Sequence, residues 1–336
     1  MRMRWRLRGK VVVVTGASSG IGRVTAVAFA RQGAAVVLVA RRAAALEAVA
    51  EECRAHEVPA LAMPADVTDE EAVREVARST VERLGRLDVW VNNAGVTLWG
   101  RVEEVPMEDF RRVLETNFLG YVHGARAALP HFREQGRGVL VNNASMLSVV
   151  AEPYAGAYVA AKHAVLGFAS SLRQELALDG LARQIRVCSA MPATIDTPLF
   201  QHGGNYSGRR AKAMRPVYPP ERVARTLVNL ARWPRREVFV GPAARMLAWQ
   251  WRMAPALTER LTAWMADQDQ LERHRLVPAD DGNLFAPVDD GDTADGGWGG
   301  RRGQARRRVL AAAVAGAGLL GATATALRRP RGDRWS

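Results

Sequence analysis

The chain has 336 residues, 48% of them apolar and 24% charged, with a net charge of +13. This composition excludes a disordered or collagen-like chain and provides enough material for one large core or two modest ones. The excess charge sits at the ends: Arg2, Arg4, Arg6, Arg8 and Lys10 face no acid in 1–10, and nine arginines face only Asp333 in 301–336. The stretch between is neutral. A nucleic-acid binder carries its basic face on the folded domain, so nucleic acid is excluded as a partner. Two cysteines, Cys53 and Cys188, cannot build a disulfide framework and read as buried apolar residues in a reducing, cytoplasmic setting.

The basic start runs straight into Val11–Val14, without the apolar stretch of a secretory signal. From there to residue 241, short apolar runs alternate with helical patterns. Val11–Val14, Ala35–Val39, Val89–Asn92, Val139–Asn142, Arg186–Ala190 and Val238–Val240 read as buried strands. Gly20–Gln32, Ala43–His56, Asp69–Leu84 and Tyr158–Leu178 carry apolar residues at helical spacing. Continuous apolar strands alternating with helices specify a doubly wound α/β fold, a Rossmann-type parallel sheet with helices on both faces. Residues 242–276 read as a helical extension divided at Pro255, rich in Trp and Met, that either packs on the domain or forms a surface beside the substrate cleft. The Pro, Gly and Asp of 277–308 read as a linker. Val309–Leu327 has no charge and the length of a membrane span, but its many alanines and glycines supply little apolar surface. It is expected to associate with membrane lipid, ahead of a basic tail at 328–336.

Chemistry begins at Thr15–Gly22, a glycine-rich turn between a strand and a helix, where backbone N–H groups and the helix dipole suit a pyrophosphate. The second strand ends in Ala40, Arg41 and Arg42, where an NAD site would place an acid, and the two guanidinium groups favour a 2′-phosphate and hence NADP(H). Tyr158 and Lys162 stand one helical turn apart, and an ammonium there would stabilise a phenolate. The chain holds only three lysines, so a lysine at 162 points to a need for a compact cation. The six histidines are scattered, and no metal site is expected.

The string Thr15–Gly22, Asn92-Asn93-Ala94-Gly95, Asn117, Ser145, Tyr158 and Lys162 resembles the short-chain dehydrogenase/reductase family in order and spacing, over about 9–241. The resemblance implies an enzyme with a catalytic tetrad. Tyr158 would be general acid/base, Lys162 would lower its pKa and hold the nicotinamide ribose, Ser145 would hold the substrate oxygen, and Asn117 would hold a water linked to Lys162. It also implies cofactor contacts at Gly16, Ser18, Ser19, Gly20, Ile21, Gly22, Arg41, Arg42, Asp66, Val67, Asn93, Ala94 and Gly95, and again at Pro192, Ile195 and Thr197. Ala144 and Ala193 depart from the usual serine and glycine. Substrate choice is expected in Phe200–Val217, read as a mobile segment whose Gly203, Gly204 and Gly208 give freedom and whose cations face solvent, an anionic substrate or a headgroup. The leading expectation is an oxidoreductase on an apolar carbonyl or secondary alcohol. A cofactor-binding sensor without turnover and a soluble enzyme whose tail binds acidic partners stay open beside it, as does a homo-oligomer.

Overall fold

A computed structural model describes residues 7–288, 291–303 and 305. The chain begins β1 (Val11–Thr15), α1 (Gly20–Ala30), β2 (Ala35–Ala40), α2 (Ala43–Arg54), β3 (Ala60–Pro64) and α3 (Glu70–Leu84). It continues through β4 (Val89–Asn92), a short β5 (Leu98–Trp99), α4 (Met107–Leu114), a wide turn at Glu115–Leu119, α5 (Gly120–Glu134), β6 (Gly138–Asn143), α6 (Gly156–Leu178) and β7 (Ile185–Pro192). Then come α7 (Leu199–His202), β8 (Gly203–Asn205), β9 (Arg209–Ala211), α8 (Pro220–Arg232) and β10 (Glu237–Val240). Beyond it lie α9 (Pro242–Met253), α10 (Pro255–Met265), a turn at Ala266–Gln270, β11 (Leu271–Leu276) and β12 (Asp280–Gly282).

Seven strands form one parallel sheet in the order β10-β7-β6-β4-β1-β2-β3. Alternation along β1 explains the layers: Val12 and Val14 pack with Phe29, Leu46 and Leu227 on one face, and Val13 packs with Val73, Phe132 and Leu172 on the other. Both faces are covered, which is why the strands read as unbroken apolar runs. The chain winds from β1 to β3 and then returns to place β4 on the other side of β1. That reversal opens a crevice at the carboxyl ends of β1 and β4, the place where doubly wound sheets bind ligands. At the opposite end, the buried Asp88 accepts from Lys10 Nζ at 3.0 Å and Arg86 Nε at 2.6 Å, so Lys10 of the basic start is anchored to the sheet.

Cys53 and Cys188 are both buried, as the composition suggested, and burial pushes each thiol up to about 12. Pro255 opens α10 and so divides the extension where expected. Three expectations need correction. The extension is not helical to residue 276, because Leu271–Leu276 is a strand paired antiparallel with β9. The Phe200–Val217 region is built into two small sheets, β11-β9 and β12-β8-β5. Gly203 serves contact there, since a Cβ would stand 2.3 Å from the Trp99 ring and 2.5 Å from Thr97. Two of its cations are engaged as well: Arg209 pairs with Asp267 at 2.8 Å and Lys212 with Asp269 at 3.3 Å. The described residues of 277–303 do not hang as a linker but fold back across the mouth of the crevice. The expected membrane segment Val309–Leu327 lies outside the described residues, and no helix among the described residues is long and apolar enough to cross a membrane.

Candidate active site

One continuous cleft runs from the glycine-rich turn to the small sheets. It is lined by Gly16, Ser18, Ser19, Gly20, Ile21 and Gly22, by Arg41, Arg42, Asp66 and Val67, and by Asn93, Ala94 and Gly95. Ser145, Tyr158, Lys162, Pro192, Ile195 and Thr197 complete it, so of the expected tetrad and cofactor contacts only Asn117 does not line it. Gly16 turns with φ +65°, and a Cβ on Gly22 would stand 2.0 Å from the Gly16 carbonyl oxygen. Only glycine permits that approach. Helix α1 starts with no side-chain cap and no acid in its first turn, which suits a phosphate at its end.

Asn93 braces the turn. Its N–H donates to Thr15 Oγ1 at 2.9 Å, its Nδ2 to the Thr15 carbonyl at 2.9 Å, and its Oδ1 accepts from Asn143 Nδ2 at 2.9 Å. Beneath it, the buried Asn92 donates to the Tyr121 carbonyl and to Asn142 Oδ1, both at 3.0 Å. These amides tie the ends of β1, β4 and β6 together at the crevice floor.

At the far end, Ser145 Oγ accepts from the Leu147 N–H at 3.1 Å and hydrogen-bonds the Tyr158 hydroxyl. Accepting from the backbone leaves the serine proton available to donate. Lys162 is buried, and its Nζ donates at 3.2 Å to both the Tyr121 hydroxyl and the Asn143 carbonyl. The same ammonium lies 5.5 Å from the centre of the Tyr158 ring. Desolvation governs both groups: it pushes Tyr158 up to about 12 against the Ser145 hydrogen bond, and Lys162 down to about 7. Burial is thus the largest influence on both groups.

Tyr121 was missed from sequence. It lies one turn after Asn117, buried, and its hydroxyl donates to the Asn143 carbonyl at 2.8 Å. Helical spacing from Asn117 was the available signal. Asn117 itself is fully buried and clamps one backbone unit: its Oδ1 accepts from the Val96 N–H and its Nδ2 donates to the Val96 carbonyl, each at 2.8 Å. Its side-chain amide is thus engaged by Val96.

The cofactor-facing arginines divide in the structure. Arg41 donates to the carbonyls of Asn283 at 2.7 Å, Leu284 at 3.2 Å and Phe285 at 2.9 Å, holding the returning chain. Burial lowers its pKa. Arg42 donates to the Val288 carbonyl at 3.1 Å, pairs with Asp292 and stands 3.5 Å from Ser18 Oγ. Asp66 is pushed up by burial but held below the usual carboxylate value by Thr68 and by Arg112, 2.6 Å away. The Gly20 N–H donates to the Thr293 carbonyl at 3.0 Å. The buried Asp196, between Ile195 and Thr197, accepts from the N–H groups of Gly296, Trp298 and Gly300 at 3.0, 2.8 and 2.7 Å. The described residues of a strap over 283–300 therefore bond to Gly20, Arg41, Arg42 and Asp196 around the crevice, a role its glycine- and aspartate-rich composition concealed.

Residues 10–205 match the family model described as short chain dehydrogenase. An uncharacterised oxidoreductase of Bacillus subtilis is 35% identical over 282 residues, covering 83% of this chain and 79% of that one. A 1-deoxy-11-beta-hydroxypentalenate dehydrogenase of Streptomyces arenae is 40% identical, covering 57% of this chain and 69% of that one. Among solved structures, the alcohol dehydrogenase of the archaeon Thermococcus sibiricus, complexed with 5-hydroxy-NADP, is similar with a TM-score of 0.60 at 31% identity. The likeness covers 68% of this chain and 95% of that one. The chain thus belongs to the short-chain dehydrogenase/reductase family of NAD(P)-dependent oxidoreductases acting on CH–OH groups.

Proposed function

We propose that this enzyme uses NADP(H) to interconvert an apolar ketone and its secondary alcohol, with Tyr158 as general acid/base. The observation that carries this reading is the meeting of Tyr158, Ser145 and Lys162 at one end of a cleft whose other end is the glycine turn. Trp99, Leu147, Leu199, Phe200, Met214 and Met265 line the cleft beyond Tyr158, which suits an apolar substrate. The Streptomyces relative, named for a hydroxypentalenate, is consistent with such a class.

The glycine turn and the uncapped start of α1 fit the pyrophosphate of a dinucleotide, and Arg42 beside Ser18 fits a 2′-phosphate. When bound, the nicotinamide supplies or accepts the hydride. The protein's work is to orient and to move one proton. In reduction, Tyr158 gives its hydroxyl proton to the substrate oxygen while the Ser145 hydroxyl donates to the same atom and stabilises developing charge. The Lys162 ammonium, fixed by Tyr121 and Asn143, then faces the phenolate that remains. A tyrosine pushed up to about 12 is held protonated at neutral pH, the form that reduction requires.

The test is a titration with NADPH and NADH, followed by absorbance of the reduced cofactor against ketones of rising chain length. NADPH-dependent turnover that rises with apolar length supports the reading. Tight binding with no turnover across the panel overturns it in favour of a sensor.

A further inference from the structure

The apolar end of the cleft holds one carboxylate that the proton transfer does not use. Glu152 lines the cleft on the approach to Tyr158, near enough for its charge to raise the tyrosine further. Around it the walls are Trp99, Leu147, Phe200, Met214 and Met265. Its hydrogen bond comes from Gln270 Nε2, which donates to Oε1 at 3.3 Å. Gln270 is 5% exposed and belongs to the turn after α10, beyond the residues matched by the family model. No ion pair reaches Glu152 among the described residues: the nearby Arg209 and Lys212 are paired with Asp267 and Asp269.

A carboxylate in an apolar wall is costly unless it is paired, and a single amide donor is weak compensation. Glu152 is partly exposed to the cleft, and desolvation by its apolar walls pushes it up to about 7. A group in this state accepts a hydrogen bond from a neutral hydroxyl and, when protonated, donates one in return. Gln270 presents a second acceptor beside it through its amide oxygen. Asp267 and Asp269, on the same turn, face their own cations and do not compete for that position.

We infer that Glu152 and Gln270 form a polar subsite that binds a hydroxyl group of the substrate remote from the carbon being reduced. On the proposed function above, the substrate is then an apolar ketone or alcohol with a second hydroxyl, and this subsite chooses which end or face approaches Tyr158. Such a pair discriminates strongly, because a partner lacking the hydroxyl leaves buried polar groups unsatisfied.

The experiment measures binding, so that it does not depend on turnover. The full chain, saturated with NADP⁺, is titrated calorimetrically with a ladder of straight-chain 2-ketones and with their terminal-hydroxyl and terminal-ammonium counterparts. In the wild type, the hydroxyl member is expected to bind about tenfold or more tightly than its parent at the length that spans Tyr158 to Glu152. Glu152→Leu brings that ratio close to one, and Glu152→Gln, which keeps the shape and the acceptor oxygen, retains part of it. NADP⁺ affinity in each variant reports that the fold is intact. A ratio near one in the wild type at every length, or a ratio unchanged by Glu152→Leu, overturns the subsite. Preference for the ammonium member over the hydroxyl overturns it too, in favour of an ion-pairing carboxylate. Tight hydroxyl-dependent binding without NADPH oxidation would instead sink the oxidoreductase reading while leaving the subsite standing.

Discussion

Lys162 Nζ donates to the Tyr121 hydroxyl at 3.2 Å, so the buried amine is anchored by one phenol and stands 5.5 Å from the ring centre of a second, Tyr158. Tyr121 in turn donates to the Asn143 carbonyl that Lys162 also meets. The lysine cannot swing without breaking a closed triangle of bonds. Tyr121→Phe removes one corner and leaves the packing. We expect a fall of about tenfold in kcat, the lower end of acid–base effects, with KM for the ketone little changed. An unaltered kcat would assign Tyr121 to packing alone.

Removal of the proposed acid is expected to be more severe. Tyr158→Phe should lower kcat by about a hundredfold to ten-thousandfold, the usual contribution of a positioned proton donor. NADPH affinity should stay within about twofold on the same argument, because the hydroxyl serves the substrate. Single-turnover and cofactor-binding measurements separate these quantities, and retained turnover would exclude Tyr158 as the proton donor.

The two directions of the reaction should differ in pH dependence. Tyr158 is pushed up to about 12, so the protonated form dominates throughout the neutral and mildly alkaline range. Reduction, which needs that form, should not weaken for want of the tyrosine proton as pH rises from 7 to 10. Oxidation needs the phenolate and should climb with pH across the same range. A reduction rate that falls off through neutrality would follow Lys162 or Glu152, each at about 7, and an oxidation rate flat from pH 7 to 10 would exclude Tyr158 as the base.

Glu152 also links pH to stability. Its folded value of about 7 lies above its ordinary 4.5, so the folded state binds the proton more tightly than the unfolded one. This contribution is fully present below the ordinary value, declines as pH rises through the interval, and is lost above about 7. Glu152→Gln should therefore raise Tm at pH 8 by a few degrees relative to wild type and narrow that gap at pH 5. Parallel melting curves at the two pH values would contradict the burial of that charge.

The paired arginines should separate by experiment. Arg42→Ala is expected to weaken NADPH about tenfold or more, as loss of a charged hydrogen bond does, with a smaller loss for NADH. Asp292→Asn, which removes the carboxylate paired with Arg42, should shift the same ratio the other way. Arg41→Ala should instead raise backbone hydrogen exchange in 283–288, because three carbonyls lose their donor. Equal losses of both cofactors in Arg42→Ala would remove the 2′-phosphate assignment.

The sheet was legible because its two covered faces force unbroken apolar strands, and the crevice followed from the glycine turn at Gly16–Gly22. The Tyr158 and Lys162 pair was legible because helical spacing and rare lysine coincide there, and Ser145 only through the family resemblance. Backbone chemistry was not. The strap is held by carbonyls and N–H groups of Asn283, Leu284, Gly296 and Gly300, which every residue type offers alike. Leu271–Leu276 alternates too little in polarity to announce a strand and owes its conformation to β9. Gly203 was read as freedom, whereas the ring of Trp99 fills the space where its side chain would be.

The hydrogen bond between Gly20 and Thr293 also sets an order in time. Translation delivers the glycine turn well before the strap. A ribosome-bound chain that has already closed its sheet still lacks the span that crosses the crevice. A chain cut short after β10 would keep the seven strands of the sheet and lack the residues that bond to Gly20, Arg41, Arg42 and Asp196.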